Sequence, residues 1–141
     1  MCFIVEKRRW FQTKKPRVAK KDIICYKVMI PCNDNLYRSP FMSQFKSSLG
    51  VEILPELMGL PIEGDYAQQI NHGLHSKSTY NTAIDLQNEL DNSGMGYETR
   101  YVILQCRIPK GTKFYQNKKY CEYVAEKMIY DRELPKHYTE Q

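Results

Sequence analysis

The chain lacks any apolar run long enough to cross a membrane. Apolar stretches such as Ile23–Tyr26 and Val102–Leu104 fall far short of the roughly 20 residues that a transmembrane helix requires. The N-terminus is basic, but it lacks the apolar core of about 7 to 15 residues that a secretory signal contains. The sequence therefore predicts an intracellular, cytoplasmic protein without membrane contact.

Closely spaced cysteine pairs are also missing. The 5 cysteines are an odd number spread along the chain, which argues against a disulfide framework and fits a reducing compartment. A zinc site from His72, His75, Cys106 and Cys121 has acceptable ligand types, but its spacing is unusual and we predict no metal. The chain has neither a G-x-G-x-x-G pattern nor a P-loop, so no standard phosphate cradle is predicted.

The rest of the composition is ordinary for a globular protein. The 141 residues are 42% hydrophobic and 26% charged, which is enough apolar material for one domain with its own core. We expect a basic, partly mobile leader over residues 1–21, a single domain over 22–134 and a loose tail over 135–141.

Positive charge is concentrated at the N-terminus. Residues 1–21 hold eight Lys and Arg residues against Glu6, a local charge of +7, so the rest of the chain sums to −2 of the total +5. Trp10 and Phe11 lie within this segment. Cations with interleaved aromatic residues predict contact with a nucleic acid or an acidic protein. The alternative is a solvated leader without a partner.

Apolar periodicity predicts an α+β protein, a single domain with a mixed, mainly antiparallel sheet and two or three short helices. Strands are expected at residues 23–30, 101–108 and about 123–129. Helices are expected from Pro40 to Leu49 and from a Ser78 or Thr79 cap to Leu90, with a loop from Gly50 to Gly64.

The first candidate site is the segment Gly73-Leu74-His75-Ser76. A turn at Gly73 would put the His75 imidazole and the Ser76 hydroxyl at the mouth of a helix, where free backbone N–H groups favour an anion. The alternative is that His75 is an ordinary loop histidine and that Ser76 or Ser78 only caps the helix.

Glu126 is the second candidate, because it interrupts an apolar strand predicted from Tyr123 to Ile129. Strand alternation puts Val124, Glu126 and Met128 on one face. A carboxylate on such a face could orient a sugar hydroxyl or stabilise a cationic transition state. The alternative is an edge strand on which Glu126 faces solvent.

The order of three segments resembles the Arg, Ser, Glu arrangement of the ADP-ribosyltransferase fold; the segments are Tyr37-Arg38, Gly73-Leu74-His75-Ser76 and Tyr123 to Ile129. The resemblance implies that Arg38 contacts the phosphates of a dinucleotide, with Lys27 as an equal rival. It further implies that Ser76 shapes a nicotinamide pocket, that Glu126 is the catalytic carboxylate and that NAD is the cofactor.

Most of residues 22–131 also resembles short uncharacterised proteins of bacteria and their phages, through the Cys25-Tyr26-Lys27 strand, the Gly-Leu-His-Ser turn and the Ile-Pro-Lys-Gly-Thr turn. That resemblance implies no activity. Two functions therefore stay open. One is an NAD-like nucleotide-binding protein with an ADP-ribosyltransferase-like site. The other is a non-catalytic interaction module of phage or mobile-element origin, which binds nucleic acid or a host protein through its leader and a surface rich in the 11 tyrosines.

Overall fold

The computed structural model describes residues 16–41, 46–54, 73–93, 99–136 and 138, together with the backbone of 3–5, 62–63 and 68–70. Within these residues lie one α-helix, α1 (Tyr80–Asn92), and thirteen strands. The strands are β1 (Phe3–Val5), β2 (Arg17–Val18), β3 (Ile23–Pro31), β4 (Leu36–Arg38), β5 (Lys46–Ser48), β6 (Glu52–Ile53), β7 (Ile62–Glu63), β8 (Gln68–Ile70), β9 (Leu74–Lys77), β10 (Val102–Ile108), β11 (Lys113–Asn117), β12 (Glu122–Ala125) and β13 (Met128–Glu133).

Most of the strands form one antiparallel sheet with β3 near its centre. The order across it is β2-β11-β12-β9-β3-β10-β13-β6, and β4 and β5 extend it from the end of β3. A second sheet, β1-β8-β7, is also antiparallel, and β1 lies against β11 and β12. Because so many strands pair at long sequence separation, the interior is assembled from non-local contacts.

Strand β3 is buried on both faces, as its continuous apolar run predicted. Cys25 and Met29 contribute to one core cluster, while Tyr26 and Val28 contribute to another. The strand ends at Pro31, which has no N–H group to donate to a ladder. We call the side with Cys25 and Met29 the inner face, and the opposite side, which α1 covers, the helix face.

The helix α1 packs against the centre of the sheet. Thr79 precedes it in an extended conformation, and its Oγ1 accepts a hydrogen bond from the Thr82 N–H at 3.3 Å. Its buried residues Tyr80 and Ala83 join Tyr26 and Val28 in the core of the helix face. The predicted helix is therefore confirmed, with Thr79 as its N-cap.

The predicted fold class is wrong, because the protein is mainly β rather than α+β. The described residues contain one helix, and the segment predicted as a helix up to Leu49 includes strand β5. There, helical spacing of apolar residues gave a misleading signal, since pairing of β5 with β4 outweighs local propensity. Part of the expected loop after Gly50 is likewise strand β6, which pairs with β13.

Described residues from the predicted leader and from the predicted tail contact the sheet or the helix. Arg17 and Val18, from the predicted leader, form β2 and pair with β11. Tyr138, from the predicted tail, packs edge-on against Tyr80 with 5.0 Å between ring centroids. The proposed domain division stays a prediction. Among the described residues, no helix is long and apolar enough to cross a membrane.

Candidate ligand-binding site

The Gly-Leu-His-Ser segment is a strand rather than a turn at a helix. Gly73 has a φ of +126°, and β9 follows directly, so its side chains alternate between the two faces. Leu74 packs in the inner core and Ser76 is 6% exposed on that same face. His75 lies half-buried on the helix face, with Nδ1 3.1 Å from the Gly73 carbonyl oxygen. The two predicted ligand-binding residues therefore face opposite sides.

Lys27 lies across from Ser76. The antiparallel pair Tyr26–Lys77 joins β3 to β9, and this register puts Lys27 opposite Ser76 on the inner face. Lys27 is half-buried, and its Nζ lies 5.8 Å from the centroid of the Tyr130 ring. Within the described part of the chain, no carboxylate forms an ion pair with Lys27.

Tyr130 is a further polar residue of the inner face. Its side chain, on β13, is fully buried. The hydroxyl groups of Tyr130 and Ser76 are the two buried side-chain polar atoms, among the described residues, that have no hydrogen-bond partner. Leaving such a group unsatisfied costs about 1–3 kcal/mol, so native proteins contain few of them. Two on one face, beside a half-buried ammonium group, mark this face as a candidate site.

Two thiols complete the polar groups of this face. Cys25 and Cys106 lie directly opposite each other between β3 and β10, and Tyr130 lies opposite Cys106 from β13. Both thiols are free and fully buried. Burial, followed by the neighbouring Cys25, raises the pKa of Cys106 well above its ordinary value.

The pKa of Cys25 shows the effect of Lys27. Burial acts to raise this pKa, but the neighbouring Cys106 and Ser76 side chains and the positive charge of Lys27 favour the thiolate. These effects outweigh burial and lower the pKa of Cys25. Burial raises the pKa of Tyr130, and the Lys27 charge opposes that rise. The charge of Lys27 acts in the same direction on Cys25, Cys106 and Tyr130, but burial outweighs it at Cys106 and Tyr130.

Glu126 does not lie within a strand. It occupies the bend between β12 and β13, and its backbone N–H donates to the Lys113 carbonyl at 3.1 Å. The predicted single strand from 123 to 129 is wrong, because β12 pairs with β9 and β11 whereas β13 pairs with β6 and β10. The bend also changes the alternation, so that Ala125, not Val124, shares the inner core with Met128.

Arg38 is half-buried on β4, where it pairs with Ile30 of β3. Ile30 lies three residues beyond Lys27, which is about 10 Å along a strand. Glu126 is likewise three residues beyond Tyr123, the residue that pairs with Ser76. No hydrogen bond or ion pair joins Arg38, Ser76 and Glu126 to one another within the described residues. Of the five predicted site residues, the structure brings Lys27 and Ser76 together.

Tyr130 and the two facing thiols were missed as members of a site. The strand predicted from the sequence ends at Ile129, one residue before Tyr130. Strand alternation alone predicts that Met128 and Tyr130 share a face, as they do. That pattern does not reveal which strands are neighbours, and the neighbours create the site.

The tyrosines are mostly core residues rather than a binding surface. Tyr26, Tyr80, Tyr115 and Tyr130 are buried, whereas Tyr120 is 45% exposed. Binding through a tyrosine-rich surface stays a prediction, and Tyr120 is the exposed ring among the described tyrosines. In the described ranges, no three His, Cys, Asp or Glu side chains are close enough to hold a metal ion, and His72 lies outside those ranges.

Comparisons with protein-family models, with curated proteins and with solved structures find no match to this chain. The inner face and the charge distribution of the described residues are therefore the basis for any functional inference.

Proposed function

We propose that this protein binds a small anionic ligand of the nucleotide type, NAD-like, on the inner face of its main sheet. One observation carries the proposal. The half-buried ammonium of Lys27 lies opposite the buried hydroxyl of Ser76 and above the ring of Tyr130, and neither hydroxyl has a partner among the described residues. Buried polar groups of this kind are normally satisfied, and a bound ligand would satisfy them.

The three side chains suit a phosphate or a sugar hydroxyl. An ammonium group offers three donors and binds phosphate as a point charge. The Ser76 hydroxyl can donate to a phosphate oxygen or accept from a hydroxyl. Burial raises the pKa of Tyr130, so its phenol stays protonated at neutral pH and can act as a donor. A nucleotide supplies both anionic oxygens and sugar hydroxyls.

The proposal concerns binding and includes no transfer reaction. Glu126, the carboxylate that the ADP-ribosyltransferase resemblance implies, lies in a bend about 10 Å along the strand from the level of Ser76. The resemblance supports NAD and ADP-ribose as the first ligands to test. Arg38 lies beyond Ile30 at the same end of the sheet as Glu126, so it is a candidate for a more distant phosphate.

A thermal-shift titration with NAD, ADP-ribose, AMP and inorganic phosphate tests this proposal. The melting temperature of the wild type should rise with ligand concentration, because a ligand present at about 100 times its Kd adds about 2.7 kcal/mol to stability. Lys27→Met and Ser76→Ala should each abolish most of the shift. Lys27→Arg, which keeps the charge, should retain part of it.

His75→Ala is the matched control, because His75 lies on the same strand but faces the helix side. It should leave the ligand-induced shift unchanged. The proposal fails if none of the four ligands shifts the wild type, or if His75→Ala reduces the shift as much as Ser76→Ala does.

A further inference from the structure

Two segments at one edge of the main sheet carry positive charge and no negative charge. Residues 16–21 and 110–121 contain seven Lys and Arg residues and no Asp or Glu. All seven side chains are exposed, and we call them the cationic edge: Arg17, Lys20, Lys21, Lys110, Lys113, Lys118 and Lys119. The positive charge of residues 16–21 is thus joined by that of a second segment, residues 110–121.

Pairing of β2 with β11 brings the two segments together. Arg17 pairs with Phe114, and its guanidinium carbon lies 5.7 Å from the centroid of that ring. Arg17 also donates to the side chain of Gln116 at 3.1 Å, across 99 residues of sequence. Beside the strands, the Ala19 N–H donates to the Thr112 carbonyl at 2.9 Å. These contacts hold Lys20 and Lys21 next to the Lys110 turn.

Two acidic residues border this edge, namely Asp22 at the Lys110 turn and Glu126, whose backbone N–H donates to the Lys113 carbonyl. Asp22 accepts a hydrogen bond from the backbone N–H of Lys110 at 2.8 Å and lies 3.4 Å from the Arg107 guanidinium. These interactions, the Lys110 bond first, lower the pKa of Asp22, so it is engaged locally. Lysines at a sheet edge can serve only to prevent the addition of another strand. Here, however, lysines also lie in the turn before β11 and in the turn after it.

An exposed aromatic ring lies at the far end of the cationic edge. Tyr120 follows β11 in the turn to β12, and the Nζ of Lys119 lies 5.4 Å from its ring centroid. The strand β11, five residues and roughly 17 Å long, lies between the Lys110 turn and this ring. A row of cationic side chains with an exposed aromatic ring is the combination that binds single-stranded nucleic acid, because the cations follow the phosphates and the ring stacks on a base.

We propose that the cationic edge binds single-stranded nucleic acid. An acidic protein would respond to the same charge, but it gives no role to the exposed ring of Tyr120. This surface is separate from the inner face, because Arg17 and Lys113 lie on the outermost strands of the sheet whereas Lys27 lies on β3 near its centre. The proposal is therefore independent of nucleotide binding on the inner face.

Fluorescence anisotropy with a labelled oligothymidylate, measured over a series of salt concentrations, tests the proposal. The logarithm of the binding constant should fall linearly with the logarithm of salt concentration, by about 0.7 for each phosphate neutralised on a single strand. Lys110→Gln combined with Lys113→Gln should weaken binding at every salt concentration and reduce this slope by about 1.4. Circular dichroism verifies that the variant is folded.

Lys46→Gln combined with Lys136→Gln is the matched control, since it removes the same charge from exposed positions outside the edge. It should leave affinity and slope unchanged. Tyr120→Ala should weaken binding about fivefold or more without changing the slope, because stacking does not involve counterions. Lys27→Met should bind the oligonucleotide as the wild type does.

Three results would overturn the proposal. The first is no binding by the wild type at about 50 mM salt, where phosphate contacts are strong. The second is an equal loss in the edge variant and in the control variant. The third is equal affinity for heparin with no effect of Tyr120→Ala, which would make the edge a general polyanion surface.

Discussion

At the scale of single residues, two hydroxyl groups on the inner face, those of Ser76 and Tyr130, should lower the free energy of unfolding. Each is buried without a partner among the described residues, and a phenylalanine or an alanine would fill almost the same space. A hydroxyl that costs stability and lies beside Lys27 is easiest to understand as part of a binding site, because strained or unsatisfied groups concentrate where function requires them.

Tyr130→Phe should therefore stabilise the protein in the absence of ligand. Removing the unpartnered hydroxyl should raise the free energy of unfolding by about 1–3 kcal/mol, measured by urea denaturation. Tyr115→Phe is the matched control, since Tyr115 is also buried but its hydroxyl is not among the unpartnered groups. An unchanged or lower stability of Tyr130→Phe would show that the hydroxyl is satisfied in the native protein.

Alkaline pH should destabilise the fold through its tyrosines. Burial is the first cause that raises the pKa of Tyr80, Tyr115, Tyr123 and Tyr130. The unfolded chain therefore ionises first as pH rises past about 10. Stability should be complete below that pH and fall above it. Urea denaturation across this range, with absorbance near 295 nm to follow phenolate, checks the sign; constant stability through the titration would contradict it.

At the scale of secondary-structure elements, local sequence was sufficient for some elements and insufficient for others. β3, β10 and α1 were predictable, because each has a continuous apolar run or a capped apolar stripe. The break at Glu126 was not predictable, because no local residue pattern marks it. It arises because β12 and β13 pair with different strands. A single bend there changed which residues share a face.

The site shows the same limit. Lys27 and Ser76 were candidates from sequence, but only the pairing of β3 with β9 makes them neighbours. Tyr130 became visible only once β13 was paired with β10. Helical spacing up to Leu49 predicted a helix where β5 pairs with β4. In each case the pairing of strands that are distant in sequence decided whether the prediction held.

The N-cap of α1 gives a test at this scale. Thr79→Ala should lower the free energy of unfolding by about 1 kcal/mol, because it removes the bond from the Thr82 N–H to Oγ1. Ser78→Ala is the control, since the backbone N–H of Ser78, not its hydroxyl, bonds to the Cys121 carbonyl. A larger loss in Ser78→Ala than in Thr79→Ala, measured by thermal or urea denaturation, would assign the cap to Ser78.

At the scale of the whole molecule, one antiparallel sheet carries the two proposed binding surfaces. The inner face lies where β3, β9, β10 and β13 meet, and the cationic edge lies on β2 and β11 at one end of the strand order. Ser76 on β9 and Lys113 on β11 are separated by β12, about 10 Å across the sheet, so the effects of their variants on stability should add within about 0.5 kcal/mol. Combining Ser76→Ala with Lys113→Gln and measuring urea denaturation tests this; a clear departure from additivity would mean that the surfaces are coupled.

A nuclear magnetic resonance titration of the ¹⁵N-labelled protein with NAD and ADP-ribose tests the central claim most directly. Binding on the inner face predicts concentration-dependent shifts of the backbone amide signals around Lys27, Ser76 and Tyr130, and their loss in Ser76→Ala. The amide signals of residues 17–21 and 110–119 should stay in place. No shift with either nucleotide, or shifts confined to those edge residues, would contradict a ligand site on the inner face.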